Sequence, residues 1–284
     1  MKTNFHTHST FCDGTCSILT MAQTARDHRF SMLGFSGHAP LPFPTDWNMK
    51  QKDIPRYYTA IQEARELIGQ DLTLVTGLEI DYIEGMLGPQ TVTYPEITYS
   101  IGSVHYINPK NSKQHTDLFA VDEKQDDFDR HIQTYCNGDY EQAVSLYYKS
   151  LYAMISAGGF TILGHLDLIK KNNPRQSRFS ETSSFYKDAV MHVVDALQGT
   201  NIVVEINTGG LARGKTQEVY PAHWILKELH ERNVPICLNA DAHAPEHLYA
   251  YYDHALRAAL EAGYTKQVVP SMHGLITVSL TDSQ

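Results

Sequence analysis

Seven short runs rich in apolar and β-branched residues alternate with stretches of helical periodicity, and this alternation limits the fold more than any other feature of the chain. The runs fall at 3–5, 32–36, 72–78, 97–104, 161–163, 202–206 and 236–238. Ile18, Met21, Ala22 and Ala25 recur at i, i+3, i+4, i+7 behind Ser17, a residue suited to an N-cap. Ile54, Tyr57, Tyr58, Ile61, Ala64 and Ile68 repeat the pattern up to Gly69, and a helix over 140–157 stops at Gly158-Gly159. Phe185, Ala189, Val193 and Ala196 mark a helix closed by Gly199, Pro221 opens another, and Leu256, Ala259 and Leu260 mark a last one before Gly263. Such βα units in succession build a parallel sheet, either one closed barrel or a doubly wound layer. No Gly-, Ser- or Pro-rich linker and no internal repeat interrupts the series, so residues 1–284 are expected to form a single domain. The stripe Tyr147, Tyr148, Leu151 and Ile155 reads as core, and the longest irregular stretch, 106–139, with its acidic segment 122–129, as a solvated loop or a lid.

Composition narrows the function. With 42% apolar and 19% charged residues the chain reads as a soluble globular protein, and its formal charge of −9 gives no global attraction to nucleic acid or an anionic membrane. Any anionic substrate needs a local cation. No apolar run reaches the length of a membrane span, and the opening Met-Lys-Thr-Asn-Phe-His-Thr-His has no apolar signal core, so a cytoplasmic protein is expected. Cys12, Cys16, Cys136 and Cys237 are then expected as free thiols. Fifteen His outnumber 13 Lys and 10 Arg, which turns attention to metal chemistry, because neutral imidazole is a common metal ligand.

Those histidines are not scattered. His6 and His8 end the first run, His38 follows the second, Glu79 ends the third, His105 the fourth and His165 the fifth, and Asp241 with His243 follow the seventh. The C-terminal ends of the strands are where a parallel barrel assembles its active site. In extended chain, residues i and i+2 face one side, so His6 with His8, and Asp241 with His243, can address one metal from two walls. A carboxylate such as Glu79 has two oxygens and can bridge two cations.

Taken together, His-Thr-His (6–8), Ser-Gly-His-Ala-Pro (36–40), Gly-Leu-Glu (77–79), Ser-Val-His (103–105), Gly-His-Leu-Asp-Leu-Ile-Lys-Lys (164–171), Glu-Ile-Asn-Thr-Gly-Gly-Leu (205–211) and Asp-Ala-His-Ala-Pro (241–245) resemble the polymerase and histidinol phosphatase (PHP) family of metal-dependent phosphoesterases. Within it, they look most like the phosphatases that act on histidinol phosphate. The resemblance spans nearly the whole chain and implies an α/β fold, a distorted (β/α)7 TIM-like barrel, with three divalent metal ions, Zn, Fe or Mn. It implies that His6, His8, Glu79 and Asp241 hold the first metal, Glu79, His105 and His165 the second, and Asp13, His38 and His243 the third. Some relatives carry His where this chain has Asp13, and a carboxylate is the harder ligand. It also implies a small-molecule phosphate monoester as partner, with Asp241 or His243 managing the proton passed to the leaving alkoxide.

Phosphate capture is expected from cations in the loops after the fifth and sixth runs: Arg178 and Arg213 first, for their bidentate geometry, and then Lys170, Lys171 and Arg175. Asp167 is a candidate for orienting His165, and Asn207 for a hydrogen bond to substrate or ligand. Carboxylates of 106–139, with Phe119 or Tyr106, are expected to meet the amine and ring of such a substrate. Two other outcomes remain open at this point, a different phosphoesterase activity on the same metal centre and a metal-binding module without catalysis.

Overall fold

Each of the seven runs becomes a strand with ends within three residues of those expected. The computed structural model describes residues 1–281. In chain order it forms β1 (Thr3–Asn4), α1 (Ile18–Asp27), β2 (Met32–Phe35), α2 (Ile54–Ile68), β3 (Thr73–Asp81), β4 (Tyr99–Ser103), β5 (Tyr106–Ile107), β6 (Phe119–Ala120), α3 (Gln125–Cys136) and α4 (Tyr140–Ala157). It continues through β7 (Ile162–Leu163), α5 (Ser184–Leu197), β8 (Val203–Asn207), α6 (Gly209–Ala212), α7 (His223–Glu231), β9 (Ile236–Asn239), α8 (Tyr252–Glu261), β10 (Lys266–Ser271) and β11 (Gly274–Ser279). The main sheet has the order β1-β2-β3-β4-β7-β8-β9, parallel throughout. Short strands sit inside a ring of helices, as in a distorted TIM-like barrel of one domain. No helix among the described residues is long and apolar enough to cross a membrane.

The barrel closes between β1 and β9 largely through asparagine side chains. Asn4 Oδ1 accepts from Ala240 N and Asn239 Oδ1 from Phe5 N, each at 2.8 Å. Just beyond, Thr7 and Ala242 bridge: Ala242 N donates to His6 O at 3.0 Å and His8 N to Ala242 O at 2.9 Å. Buried backbone groups must be paired, so this seam is obligatory, and it draws His6 and His8 against Asp241 and His243. The interior is filled by Phe5, Val75, Tyr99, Ile101, Val203 and Cys237, with Val269 of β10 packed against them. Tyr99 donates to Phe5 O at 2.7 Å, and its ring lies where a Cβ on Gly34 or Gly77 would come within 2.4 or 2.5 Å, which accounts for glycine in the middle of β2 and β3.

The helices behave as their periodicity predicts. Ser17 Oγ accepts from Thr20 N to cap α1, Gly69 ends α2 at φ 67°, and Tyr147, Tyr148, Leu151 and Ile155 are buried in the core. The segment 106–139 corrects the expectation of a solvated loop. It forms the β5–β6 hairpin and α3, because Phe128, Ile132 and Cys136 lie at i, i+4, i+8 and bury a single face beneath an otherwise charged helix. Fully burying Phe128 and Ile132 contributes about 1.5–3 kcal/mol each, enough to order a segment whose acidic composition suggests otherwise. The β10–β11 hairpin had no counterpart in the periodicity. It docks through Gln267, whose Oε1 accepts from Leu238 N at 3.0 Å and whose Nε2 donates to Thr3 Oγ1 at 3.3 Å.

Candidate metal centre

The strand ends deliver nine side chains to one place. His6 Nε2 lies 3.1 Å from Glu79 Oε2 and 3.7 Å from Asp241 Oδ1, and His8 Nε2 lies 3.6 and 3.4 Å from the same two oxygens. The other oxygen of Glu79, Oε1, is 3.2 Å from His165 Nε2 and 3.6 Å from His105 Nε2, and those two nitrogens are 3.2 Å apart. Asp13 Oδ2 is 3.1 Å from His243 Nε2 and 3.7 Å from His38 Nε2, while His38 Nδ1 is 2.9 Å from Glu79 Oε2. Glu79 therefore presents one oxygen to each of two imidazole clusters, and His38 spans the first and the third. Ligand atoms around one tetrahedral cation with bonds of about 2.0–2.1 Å stand roughly 3.3 Å apart, close to these separations.

Burial shows what the cluster is suited to hold. His6 Nε2, His8 Nε2, His38 Nδ1 and Glu79 Oε2 are buried and have no hydrogen-bond partner among the described residues, although they approach one another. They are aimed at shared points and not along hydrogen bonds, an arrangement costly for a protein interior and natural for atoms around a cation. Among the described residues, the groupings His8-Asp13-His38-His243, His6-His8-Asp241 and His38-Glu79-His105 each converge tightly enough to hold an ion. The donor set of imidazole and carboxylate fits Zn, Fe or Mn.

Charge is arranged to keep these groups competent. Burial opposes ionisation of Glu79, yet the imidazoles of His6, His38 and His105 hold its carboxyl well below the usual range. Burial likewise opposes Asp241, and Arg213 and His6 outweigh it. Burial, with His243 and His38 nearby, pushes His8 down to about 3, so it stays neutral with a lone pair to give. Burial pushes the Cys12 thiol up to about 12, which keeps it protonated 3.5 Å from His8 Nδ1; all four cysteines are free.

Two positioning carboxylates escaped the sequence reading. Glu205, fully buried on β8, accepts from His6 Nδ1 at 2.8 Å, His165 N at 2.8 Å, Asn207 Nδ2 at 2.7 Å and Asn239 Nδ2 at 2.8 Å. Its bond fixes the proton on His6 Nδ1 and leaves Nε2 free to ligate. Asp81 does the same for His105 Nδ1 at 3.0 Å. Both were findable, since Asp81 faces the side of β3 that Glu79 faces, and Glu205 shares its face of β8 with Asn207.

The cluster floors a cavity of about 660 Å3 whose walls include Trp47, Tyr106, Asp122, Lys171, Arg213 and Tyr220. That is room for a small ester in its entirety.

Comparison with known proteins agrees with this geometry. The model of the PHP domain matches residues 4–209. The chain belongs to the PHP domain family. It is 27% identical over 263 residues to the "Probable histidinol-phosphatase" of Deinococcus radiodurans, covering 91% of this chain and 92% of that one. It is 29% identical over 268 residues to the "Histidinol-phosphatase" of Bacillus subtilis, covering 88% and 97%. The crystal structure of histidinol phosphate phosphatase from Lactococcus lactis, complexed with zinc, L-histidinol and phosphate, shares the fold with a TM-score of 0.72 at 18% identity, over 97% of this chain and 98% of that one.

Within this PHP barrel, the structure brings together His6, His8, Asp13, His38, Glu79, His105, His165, Asp241 and His243. Arg213 joins them: Nη2 donates to Asp241 Oδ2 and Nη1 to Asp241 O, each at 2.8 Å. Arg178 does not line the cavity. Its Nε and Nη2 close on the Asp129 carboxylate at 3.0 and 2.7 Å, because the ordering of α3 supplies a carboxylate that a solvated loop would not have held there. Lys170 is buried on Asp167 at 2.9 Å, Glu218 at 3.0 Å and Val219 O at 2.9 Å, so Asp167 serves that lysine and Ala222 N, not His165. Arg175 is exposed, and Asn207 is spent on Glu205 and Gly209 N. Tyr106 faces the cavity, whereas Phe119 is fully buried in the core.

Proposed function

We propose that this chain is a metal-dependent phosphomonoesterase acting in the cytoplasm on L-histidinol phosphate, releasing L-histidinol and inorganic phosphate in histidine biosynthesis, with residues 1–284 acting as one domain. The observation that carries the reading is Glu79, whose two oxygens, 3.1 Å from His6 Nε2 and 3.2 Å from His165 Nε2, belong to separate imidazole clusters under a substrate-sized cavity. The names of the Bacillus and Deinococcus relatives support the choice of ester.

Three divalent ions, Zn, Fe or Mn, would be held by His6, His8, Glu79 and Asp241, by Glu79, His105 and His165, and by Asp13, His38 and His243. When bound, such cations supply positive charge to the phosphoryl oxygens and make water a stronger nucleophile at neutral pH. The chain's own residues do the rest. Glu205 and Asp81 hold the imidazoles of His6 and His105 in one tautomer. Arg213, at the cavity wall, keeps Asp241 ionised and oriented and offers guanidinium charge to a phosphate. Asp241 and His243 line the cavity beside it, and one of the two manages the proton that reaches the leaving alkoxide.

A panel of phosphate monoesters assayed with metal-replete protein, alongside elemental analysis, tests this. The expected result is the highest kcat/KM for L-histidinol phosphate, above p-nitrophenyl phosphate despite the latter's better leaving group, with up to three metals per chain. Faster hydrolysis of phosphotyrosine or a sugar phosphate would overturn the choice of ester and keep the phosphatase; a mononuclear, fully active protein would overturn the three-ion centre.

A further inference from the structure

One ion pair in the cavity wall has no part in the chemistry above. Lys171, after β7, bonds the Asp122 carboxylate and, at 3.2 Å, the Asp122 carbonyl, and Asp122 follows β6. Both residues line the cavity, and their side chains are 15% and 44% exposed, open to a ligand that enters. Of the neighbouring cations, Arg213 and Lys215 also line the cavity, whereas Lys170 and Arg178 do not. Lys170 is sealed among Asp167, Glu218 and Val219 O, Arg178 sits on Asp129 outside the cavity, and Arg213 is anchored on Asp241.

We propose that Lys171 and Asp122 form a specificity-determining pair that exchanges partners with a zwitterionic ester, Lys171 turning to the phosphate and Asp122 to an ammonium group on the alcohol. The argument is one of charge balance. A ligand bearing only a phosphate can recruit Lys171 only by leaving the Asp122 carboxylate unpaired in a partly desolvated wall, which is unfavourable. A ligand bearing both charges replaces both partners at once. The pair thus favours phosphate monoesters whose alcohol carries an amine and disfavours those without one, a selection by unpaired charge as much as by attraction. This rests on the phosphatase reading and narrows its substrate class.

The test compares matched esters, O-phosphoethanolamine with ethyl phosphate and L-histidinol phosphate with its deamino analogue, in the metal-replete wild type, Asp122→Asn and Lys171→Met. The wild type is expected to favour the amine-bearing member of each pair by about tenfold or more in kcat/KM. Asp122→Asn should lower the amine-bearing ester by about tenfold and raise the amine-free ester by roughly two- to fivefold, because Lys171 is released. Lys171→Met should cost the amine-bearing ester about tenfold and the amine-free ester less than about threefold. Opposite signs for Asp122→Asn are what a merely structural contact would not produce, and equal loss on both esters, or no change on either, overturns the proposal.

Calorimetry on the wild type supplies a measurement that needs no variant. Inorganic phosphate should bind about fivefold more tightly with saturating L-histidinol than alone, and gain nothing from the deamino alcohol, since the amine engages Asp122 and frees Lys171. Independent or competitive binding overturns the exchange. The rank of L-histidinol phosphate among unrelated esters judges the assignment of substrate, whereas the amine-to-amine-free ratio and the phosphate linkage judge this pair, so one can fail without the other.

Discussion

The floor and the wall of the cavity follow opposite rules. On the floor, buried nitrogens and oxygens of His6, His8, His38 and Glu79 lack hydrogen-bond partners and point at common centres. In the wall and in the layer behind it, built by α3 and the loops after β6 and β7, charged groups are matched: Lys171 with Asp122 at the cavity, and Arg178 with Asp129 and Lys170 with Asp167 and Glu218 behind it. Unmatched groups are tolerated inside a protein where something else is to satisfy them; matched ones hold loops in place and can be exchanged. Chemistry therefore belongs to the floor and selection to the wall.

The sharpest way to break that division is Glu79→Gln, which removes the charge that faces both clusters. We expect turnover to fall by about a thousandfold or more, with metal content reduced, while Glu231→Gln on the exposed surface changes little, because several kcal/mol of charge stabilisation depend on the first and none on the second. Steady-state kinetics and elemental analysis read this out; near-normal turnover with metals retained would remove Glu79 from the floor. Next is Arg213→Met, at the join of floor and wall, expected to lower kcat/KM by about ten- to a hundredfold, as loss of charge-assisted hydrogen bonds of roughly 1.5–3 kcal/mol requires. Unchanged kinetics would leave phosphate recognition to the metals and the wall. Asp81→Asn tests the layer beneath the floor. Its loss of hold on His105 Nδ1 should weaken metal binding by about tenfold, measured by chelator competition, with a smaller effect on kcat in excess metal.

How far each region could be read from sequence follows the same contrast. The floor was legible because its imidazoles and carboxylates sit at strand ends, where alternation of period two and the barrel's geometry place them with little freedom: His6 with His8, Glu79, His105, His165 and Asp241 with His243 needed only seven strands to be found. The same alternation puts Asp81 on the face of Glu79 and Glu205 on that of Asn207, but nothing in their residue type separates a positioning carboxylate from an ion pair. The wall was illegible for a stronger reason. α3 is ordered by Phe128, Ile132 and Cys136 beneath an acidic surface, and the partners of Arg178 and Lys170 come from 49 residues upstream and 48 downstream. Local pattern carries no information about such contacts, so Arg178 looked like a phosphate ligand. The β10–β11 hairpin was missed because its reason for existing, Gln267 bonding β9 and β1 across the seam, is likewise nonlocal.

Arg178→Met is the smallest expected effect and the cleanest test of the division. The guanidinium meets the Asp129 carboxylate through two parallel bonds and lies 5.9 Å over the Tyr140 ring, with the two charged side chains 19% and 33% exposed. A partly exposed pair of this kind is worth about 0.5–1 kcal/mol once solvent screening is allowed for. In a chain of this length that corresponds to a fall in Tm of about 1–3 °C. Because the pair only ties α3 to the loop after β7 and does not reach the cavity, kcat/KM for phosphate monoesters should stay within about twofold of wild type. Thermal unfolding and steady-state kinetics on the same preparation separate the possibilities. A lowered Tm with intact kinetics keeps Arg178 behind the wall; a tenfold kinetic loss at unchanged Tm would mean that α3 moves aside in the working enzyme, that Arg178 turns from Asp129 to the phosphate, and that floor and wall are not separate.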